Sequence, residues 1–209
     1  MNTDARTTKY KPETIKLKNI DSYDITDGYG MWYVILTEHM NKKGTAIVGP
    51  PGHGKSHMMK EIKKQLQPHQ YRVACPTHKA ALNVDGETIY SLFNINVHNH
   101  TYLKSTVDKL KSEGVEYILI DEISMINSKV FAILRDIKKI YGFIFILVGD
   151  MAQLLSIEDK HYDVINSEVF ADLVDGQIME LLIDYRAKND KQVALFCEEN
   201  NRLRNGNKT

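Results

Sequence analysis

Cysteines, long apolar runs and net charge are all in short supply in this 209-residue chain, and each shortage excludes a class of protein. Its two cysteines, Cys75 and Cys197, lie far apart and match no metal-ligand spacing. A disulfide scaffold is thereby excluded, and a reducing compartment is the default. The strongest apolar run, Phe143 to Val148, stops at Gly149-Asp150, far short of the length that crosses a bilayer. The first residues, Met1-Asn2-Thr3-Asp4-Ala5-Arg6, are polar and lack the apolar core of a secretory signal, so the expectation is a soluble, intracellular protein. The 27 basic residues balance the 27 acidic ones, and bulk charge therefore argues for neither a nucleic acid nor a membrane. Such a partner has to be argued from local residues. With 43% hydrophobic and 26% charged residues, whole-chain disorder and collagen are excluded as well.

What is present reads as alternating strands and helices. Residues 1–22 form a polar arm, with Arg6, Lys9, Lys11, Lys16 and Lys18 facing Asp4 and Glu13 in number. Solvation explains such an arm, and tracking a nucleic-acid backbone is the alternative. Residues 23–209 read as one α/β domain. Met31, Trp32, Ile35 and Leu36 suggest a helix over Gly28–Met40. Thr45–Val48 is a strand candidate that runs into a Gly/Pro turn. A helix follows over Lys55–Gln67, with Met58, Met59, Ile62 and Leu66 on one face and Pro68 to stop it. Further strands are expected at Tyr71–Cys75, Tyr117–Ile120, Phe143–Val148 and Ile178–Ile183. Val130, Leu134, Ile137 and Tyr141 recur at helical spacing between the third and fourth strands. Apolar strands alternating with helices are what a parallel sheet covered on both faces requires.

Three strand ends carry chemistry. Gly49-Pro50-Pro51-Gly52-His53-Gly54-Lys55-Ser56 satisfies G-x-x-x-x-G-K-[ST], between a strand and a helix as that motif demands. Small residues let successive backbone N–H groups curl around a phosphate, and the helix N-terminus adds partial positive charge. Lys55 would reach the β- and γ-phosphates of ATP, and the Ser56 hydroxyl would coordinate Mg²⁺. The second strand end, Tyr117-Ile118-Leu119-Ile120-Asp121-Glu122, delivers two adjacent carboxylates where ligands bind in open α/β sheets. Asp121 would hold Mg²⁺, usually through water, and Glu122 would orient and deprotonate an attacking water. At the third, Val148-Gly149-Asp150-Met151-Ala152-Gln153-Leu154, Gln153 could sense a γ-phosphate without carrying charge. His53 and His57 lie four apart and could form half of a metal site, but no third ligand is near. His98-Asn99-His100 reads as an exposed polar loop. Trp32 and Tyr33 could stack on a base, though aromatics on an amphipathic helix are usually core.

Taken together, these strings resemble the first RecA-like domain of superfamily 1, subgroup B DNA helicases, the RecD-like and Pif-one-like enzymes. Gly-Asp-x-x-Gln-Leu resembles their motif III, and Cys75-Pro76-Thr77-His78-Lys79-Ala80-Ala81 their motif Ia. Thr88-Ile89-Tyr90-Ser91-Leu92 is similar to the segment that follows it. Leu181-Leu182-Ile183-Asp184-Tyr185-Arg186 looks like motif IV, and Leu203-Arg204-Asn205-Gly206 like the close of the first motor domain. The resemblance implies a RecA-like P-loop NTPase fold, ATP and Mg²⁺ as cofactors, and single-stranded DNA as partner. Thr77 and Lys79 would touch the DNA backbone, Gln153 would couple the γ-phosphate to DNA, and Arg186 would reach the γ-phosphate. From the residues alone, Lys79 is equally a solvated lysine and Arg186 a structural ion-pair partner.

Departures from the family pattern are also present. Leu155 and Ser156 stand where two prolines are usual, and His78 and Tyr90 where Gly and His are usual. No Gln precedes Gln65, so the adenine-reading Gln expected upstream of the phosphate loop is missing. The stretch from Thr88 to Ile120 leaves little room for a strand-separating insertion. The chain ends at Thr209, where the second RecA-like domain of this family would begin; that domain could sit on another chain. The expected function is the motor domain of a 5′-to-3′ DNA helicase. Its rivals are a stand-alone ATP-dependent switch without unwinding, a AAA-type ATPase, and a kinase. A AAA-type ATPase expects an Asn-type sensor, and a kinase an Arg-rich lid that is not visible here.

Overall fold

The structure, a computed structural model, describes residues 42–150 and 167–181. The expected helix over Gly28–Met40, the N-terminal arm, Gln153, Arg186 and the Leu203–Gly206 stretch lie outside the described residues.

In chain order, β1 (Thr45–Val48) leads through the Gly/Pro turn into α1 (Lys55–Gln65), followed by β2 (Tyr71–Cys75) and α2 (His78–Val84). A two-residue strand, β3 (Glu87–Thr88), runs directly into α3 (Ile89–Leu92), and α4 (Lys104–Ser112) precedes β4 (Tyr117–Ile120). A single 3₁₀ turn at Ile123–Met125 separates β4 from α5 (Ser128–Tyr141). The described part closes with β5 (Ile144–Gly149), α6 (Glu168–Leu173) and β6 (Ile178–Glu180). All six strands pair in parallel, in the order β3-β2-β4-β5-β1-β6. This is the expected parallel sheet with helices on both faces.

The period of two along the strands divides the core. Ile47, Val73, Leu119, Ile146 and Val148 point to the face that Met58, Met59 and Ile62 of α1 cover. Their neighbours Ala46, Val48, Ala74, Ile118, Ile120, Phe145 and Leu147 point to the other face. There Val107 and Leu110 of α4, Phe131, Leu134 and Ile137 of α5, and Phe170 and Leu173 of α6 complete a larger cluster. Phe131 and Phe170 meet edge to face, with centroids 5.9 Å apart, and so join α5 to α6.

Boundaries differ from expectation for local reasons. Helix α1 ends at Gln65 because Leu66 is already extended (φ −105°, ψ 144°), two residues ahead of Pro68. Gly142 caps α5 in the left-handed conformation (φ 67°), so Phe143 belongs to the turn and β5 begins one residue later than the apolar run suggests. Elements β3, α2, α3 and α4 were not foreseen. Short length and few apolar residues hide them, and side-chain caps define two of the helices: Thr77 Oγ1 accepts from Ala80 N at 3.2 Å, and Thr88 Oγ1 from Ser91 N at 3.0 Å.

Candidate nucleotide site

The strand order brings the three chemical segments together. The phosphate loop leaves β1, Asp121 leaves β4, and β5 lies between them and ends in Gly149-Asp150. All three therefore emerge at the C-terminal edge of neighbouring parallel strands, which is where open α/β sheets place ligands. A cleft of about 300 Å³ opens there, lined by Pro51, Gly52, Gly54, Lys55, Ser56, His57, Asp121, Glu122 and Asp150.

Its floor depends on two glycines at one crossing point. Gly49 N donates to the Gly149 carbonyl at 3.2 Å, tying the start of the phosphate loop to the end of β5. A Cβ on Gly149 would fall 2.6 Å from Ile123 Cγ1 and 3.1 Å from Ile123 N, on the residue that follows Glu122. Glycine at this position lets the turn after β4 press against β5. In the loop, Gly52 and Gly54 both adopt φ 89°, a left-handed conformation that a side chain would strain. Gly54 is the N-cap of α1 and offers no side-chain acceptor, and the first turn of the helix holds no acidic residue. The helix start thus brings no acidic side chain of its own to offset its partial positive charge.

Lys55 Nζ donates to the carbonyls of Gly49 at 2.7 Å and Pro50 at 2.9 Å, so its ammonium lies folded across the mouth of its own loop. Asp121 N donates to Ala74 O at 3.1 Å, extending the β2–β4 ladder by one bond. The Asp121 Oδ1 accepts from Glu122 N at 2.9 Å. Burial raises the Asp121 pKa above the usual carboxylate range, while that N–H and the Lys55 charge pull it down. Glu122 is exposed and holds a left-handed backbone (φ 57°, ψ 44°), rare for a residue with a side chain. A conformation costing of order 1 kcal/mol at such a position is the kind of strain that collects at functional sites.

Sequence reasoning did not place Asp150 among the site residues. It is 5% exposed and lines the cleft beside Asp121 and Glu122. The signal was available, since Asp150 ends an apolar strand as Asp121 does. His57 interacts with Glu61 at 3.8 Å, and the described residues contain no group of three His, Cys, Asp or Glu able to hold a metal. His98 and Asn99 are exposed and His100 half-buried. Cys75 is a buried free thiol at the end of β2, and burial, with the Asp121 charge second, pushes its pKa up to about 11. It is therefore a thiol at neutral pH, without nucleophilic character.

Thr77 and Lys79 sit apart from the cleft lining, on the turn and first turn of helix that follow β2. The Thr77 oxygen caps α2, leaving its O–H able to donate, and Lys79 is exposed. Because β2 neighbours β4, they occupy the same sheet edge as the carboxylates.

A family model described as an AAA domain matches residues 34–159, more than half of the chain. Among curated proteins, the chain is 30% identical over 123 residues to an ATP-dependent DNA helicase Pif1 of Bdellovibrio bacteriovorus, covering 52% of this chain and 28% of that protein. The chain thus spans less than a third of that relative's length. Among solved structures, the Pif1 helicase of Candida albicans superposes with a TM-score of 0.66 at 22% identity, over 83% of this chain and 43% of that one. Pif1 of a Bacteroides species, in complex with ADP-AlF4, does so at 0.64 with 24% identity, over 85% and 46%. The chain therefore belongs to the family of that AAA domain and has the RecA-like P-loop fold seen in the Pif1 helicase structures.

Proposed function

We propose that this chain is the ATP-binding and ATP-hydrolysing motor domain of a 5′-to-3′ DNA helicase acting on single-stranded DNA. The observation that carries the reading is the convergence of the phosphate loop with Asp121, Glu122 and Asp150 on one cleft. The residues present fit ATP and Mg²⁺: a helix start that carries no acidic residue in its first turn suits a phosphate, and Ser56 and Asp121 line the same space. Mg²⁺, when bound through Ser56 and Asp121, would neutralise charge developing on the β- and γ-phosphates.

The other steps belong to the chain itself. Residues Gly49 to Ser56 wrap the phosphates. Lys55 exchanges the Gly49 and Pro50 carbonyls for the β/γ-phosphates, a short swing for an ammonium already at the loop mouth. Glu122, exposed at the cleft rim, accepts a proton from the attacking water. Gln153 and Arg186 extend the same reading as γ-phosphate sensor and γ-phosphate cation. Thr77 and Lys79 hold the DNA backbone on the adjoining edge. In this account residues 23–209 form the RecA-like unit and residues 1–22 a polar arm. A second RecA-like domain, on this polypeptide or another, closes the far wall of the cleft and supplies a further arginine. An arginine acting in this way contributes about 10³–10⁵ in kcat.

The test is ATP turnover with and without single-stranded DNA, repeated with a cognate second RecA-like domain added in trans. DNA should raise turnover, and the second domain should raise it further. Turnover indifferent to DNA overturns the motor reading and leaves an ATP-dependent switch.

A further inference from the structure

We propose that His53 is a positioning residue of the phosphate loop: its neutral imidazole, protonated on Nδ1, holds the Pro51 carbonyl turned away from the incoming phosphates. The inference rests on the nucleotide reading of the cleft.

The loop has an unusual balance of donors and acceptors. Pro50 and Pro51 carry no N–H, so the residues before Gly52 offer carbonyls that would repel a phosphate and no backbone donors to offset them after Gly49. Three successive carbonyls are held from inside the loop. Those of Gly49 and Pro50 accept from Lys55 Nζ, and that of Pro50 also accepts a long bond of 3.4 Å from His53 N. The third, Pro51 O, meets His53 Nδ1 at 3.2 Å. When Lys55 moves to a phosphate, Gly49 and Pro50 lose its ammonium. His53 does not have to move, because its ring is buried at 3% exposure and does not line the cleft. It is the side-chain donor that stays in place through nucleotide binding.

Geometry also fixes the proton. A carbonyl only accepts, so Nδ1 carries the hydrogen. The Nε2 atom is buried without a hydrogen-bond partner. An N–H at Nε2 would need an acceptor that the structure does not offer there. The Nδ1–H tautomer is the form that serves this contact.

Two measurements test this. In the nucleotide-free full chain, ¹⁵N NMR of the His53 ring should show the neutral Nδ1–H tautomer at pH 7; an Nε2–H tautomer or an imidazolium overturns the proposal. Titration with a fluorescent ATP analogue and Mg²⁺ then compares variants. His53→Asn places an amide N–H near the Nδ1 position and should bind within about twofold of wild type. His53→Gln, whose amide reaches toward Nε2 instead, and His53→Ala should each bind about threefold to tenfold more weakly, the equivalent of one net hydrogen bond. Equal affinity in all three overturns the proposal while wild-type binding leaves the nucleotide reading standing. Absence of binding by wild type overturns that reading instead, and the tautomer still reports on the His53 contact.

Discussion

The cleft and the ledge formed by Thr77 and Lys79 share one sheet edge but are built differently. In the cleft, backbone conformations are committed: Gly52, Gly54 and Glu122 all hold positive φ, and Gly149 is pinned between the phosphate loop and Ile123. Its carboxylate Asp121 is partly buried and shifted. The ledge is ordinary helix start, with a hydroxyl that caps its own helix and an exposed lysine. On the proposed function, the difference teaches that the phosphate site is preorganised, with its folding cost already met, whereas the proposed grip on DNA relies on surface charge. Removing the catalytic base in the cleft should therefore cost orders of magnitude in turnover, and changes on the ledge small factors sensitive to salt.

The largest effect is expected from Glu122→Gln. The amide keeps the shape and cannot take a proton, so ATP should bind normally while turnover falls by roughly 10²–10⁴. Steady-state ATPase with a parallel binding titration checks it, and turnover within a few-fold of wild type reduces Glu122 to a strand-end carboxylate. Gly149→Ala comes next. The added methyl must displace Ile123, costing about 1–3 kcal/mol of stability by overpacking and moving Glu122 with its neighbour. Denaturant unfolding and ATPase should report both losses together; a stable, fully active variant would break the link between β5 and the turn after β4.

On the ledge, Lys79→Ala should weaken single-stranded DNA binding by a small factor and leave nucleotide binding alone. The slope of log affinity against log salt should flatten by about 0.7 for one lost phosphate contact. An unchanged slope makes Lys79 a solvated lysine. The smallest effect is the stability shift of Asp121→Asn, and it carries its own sign. Burial raises the folded-state pKa of Asp121 above its unfolded value, so the ionised form costs stability at neutral pH, and the cost disappears as pH falls through the carboxylate range. The asparagine variant should have the higher Tm at pH 7, an advantage that shrinks on acidification, while losing Mg²⁺-dependent binding. A lower Tm at pH 7 would mean that Asp121 is stabilised by its partners more than it is penalised by burial.

The same contrast governs what was legible in the sequence. The phosphate loop and Asp121-Glu122 are contiguous strings whose chemistry is local, and β1, β2, β4, β5 and the start of β6 are apolar runs bounded by turn residues. Those read directly. Strand β3 and helices α2 to α4 are defined by single caps such as Thr77 and Thr88 and by contacts made only after the sheet forms. Periodicity cannot show them. His53 illustrates the same limit inside the motif itself: its spacing from His57 suggests only a metal pair, and packing alone reveals that it is buried. Asp150 is readable by the same logic as Asp121, since each ends an apolar strand.

The central claim, that the cleft at Lys55, Asp121 and Glu122 is a nucleoside triphosphate site, is tested most directly by titrating a fluorescent ATP analogue with Mg²⁺ into wild type and Lys55→Ala. The account predicts saturable binding by wild type and a marked loss of affinity in a variant whose circular dichroism and Tm match wild type. Unchanged affinity in the folded Lys55→Ala variant would contradict it.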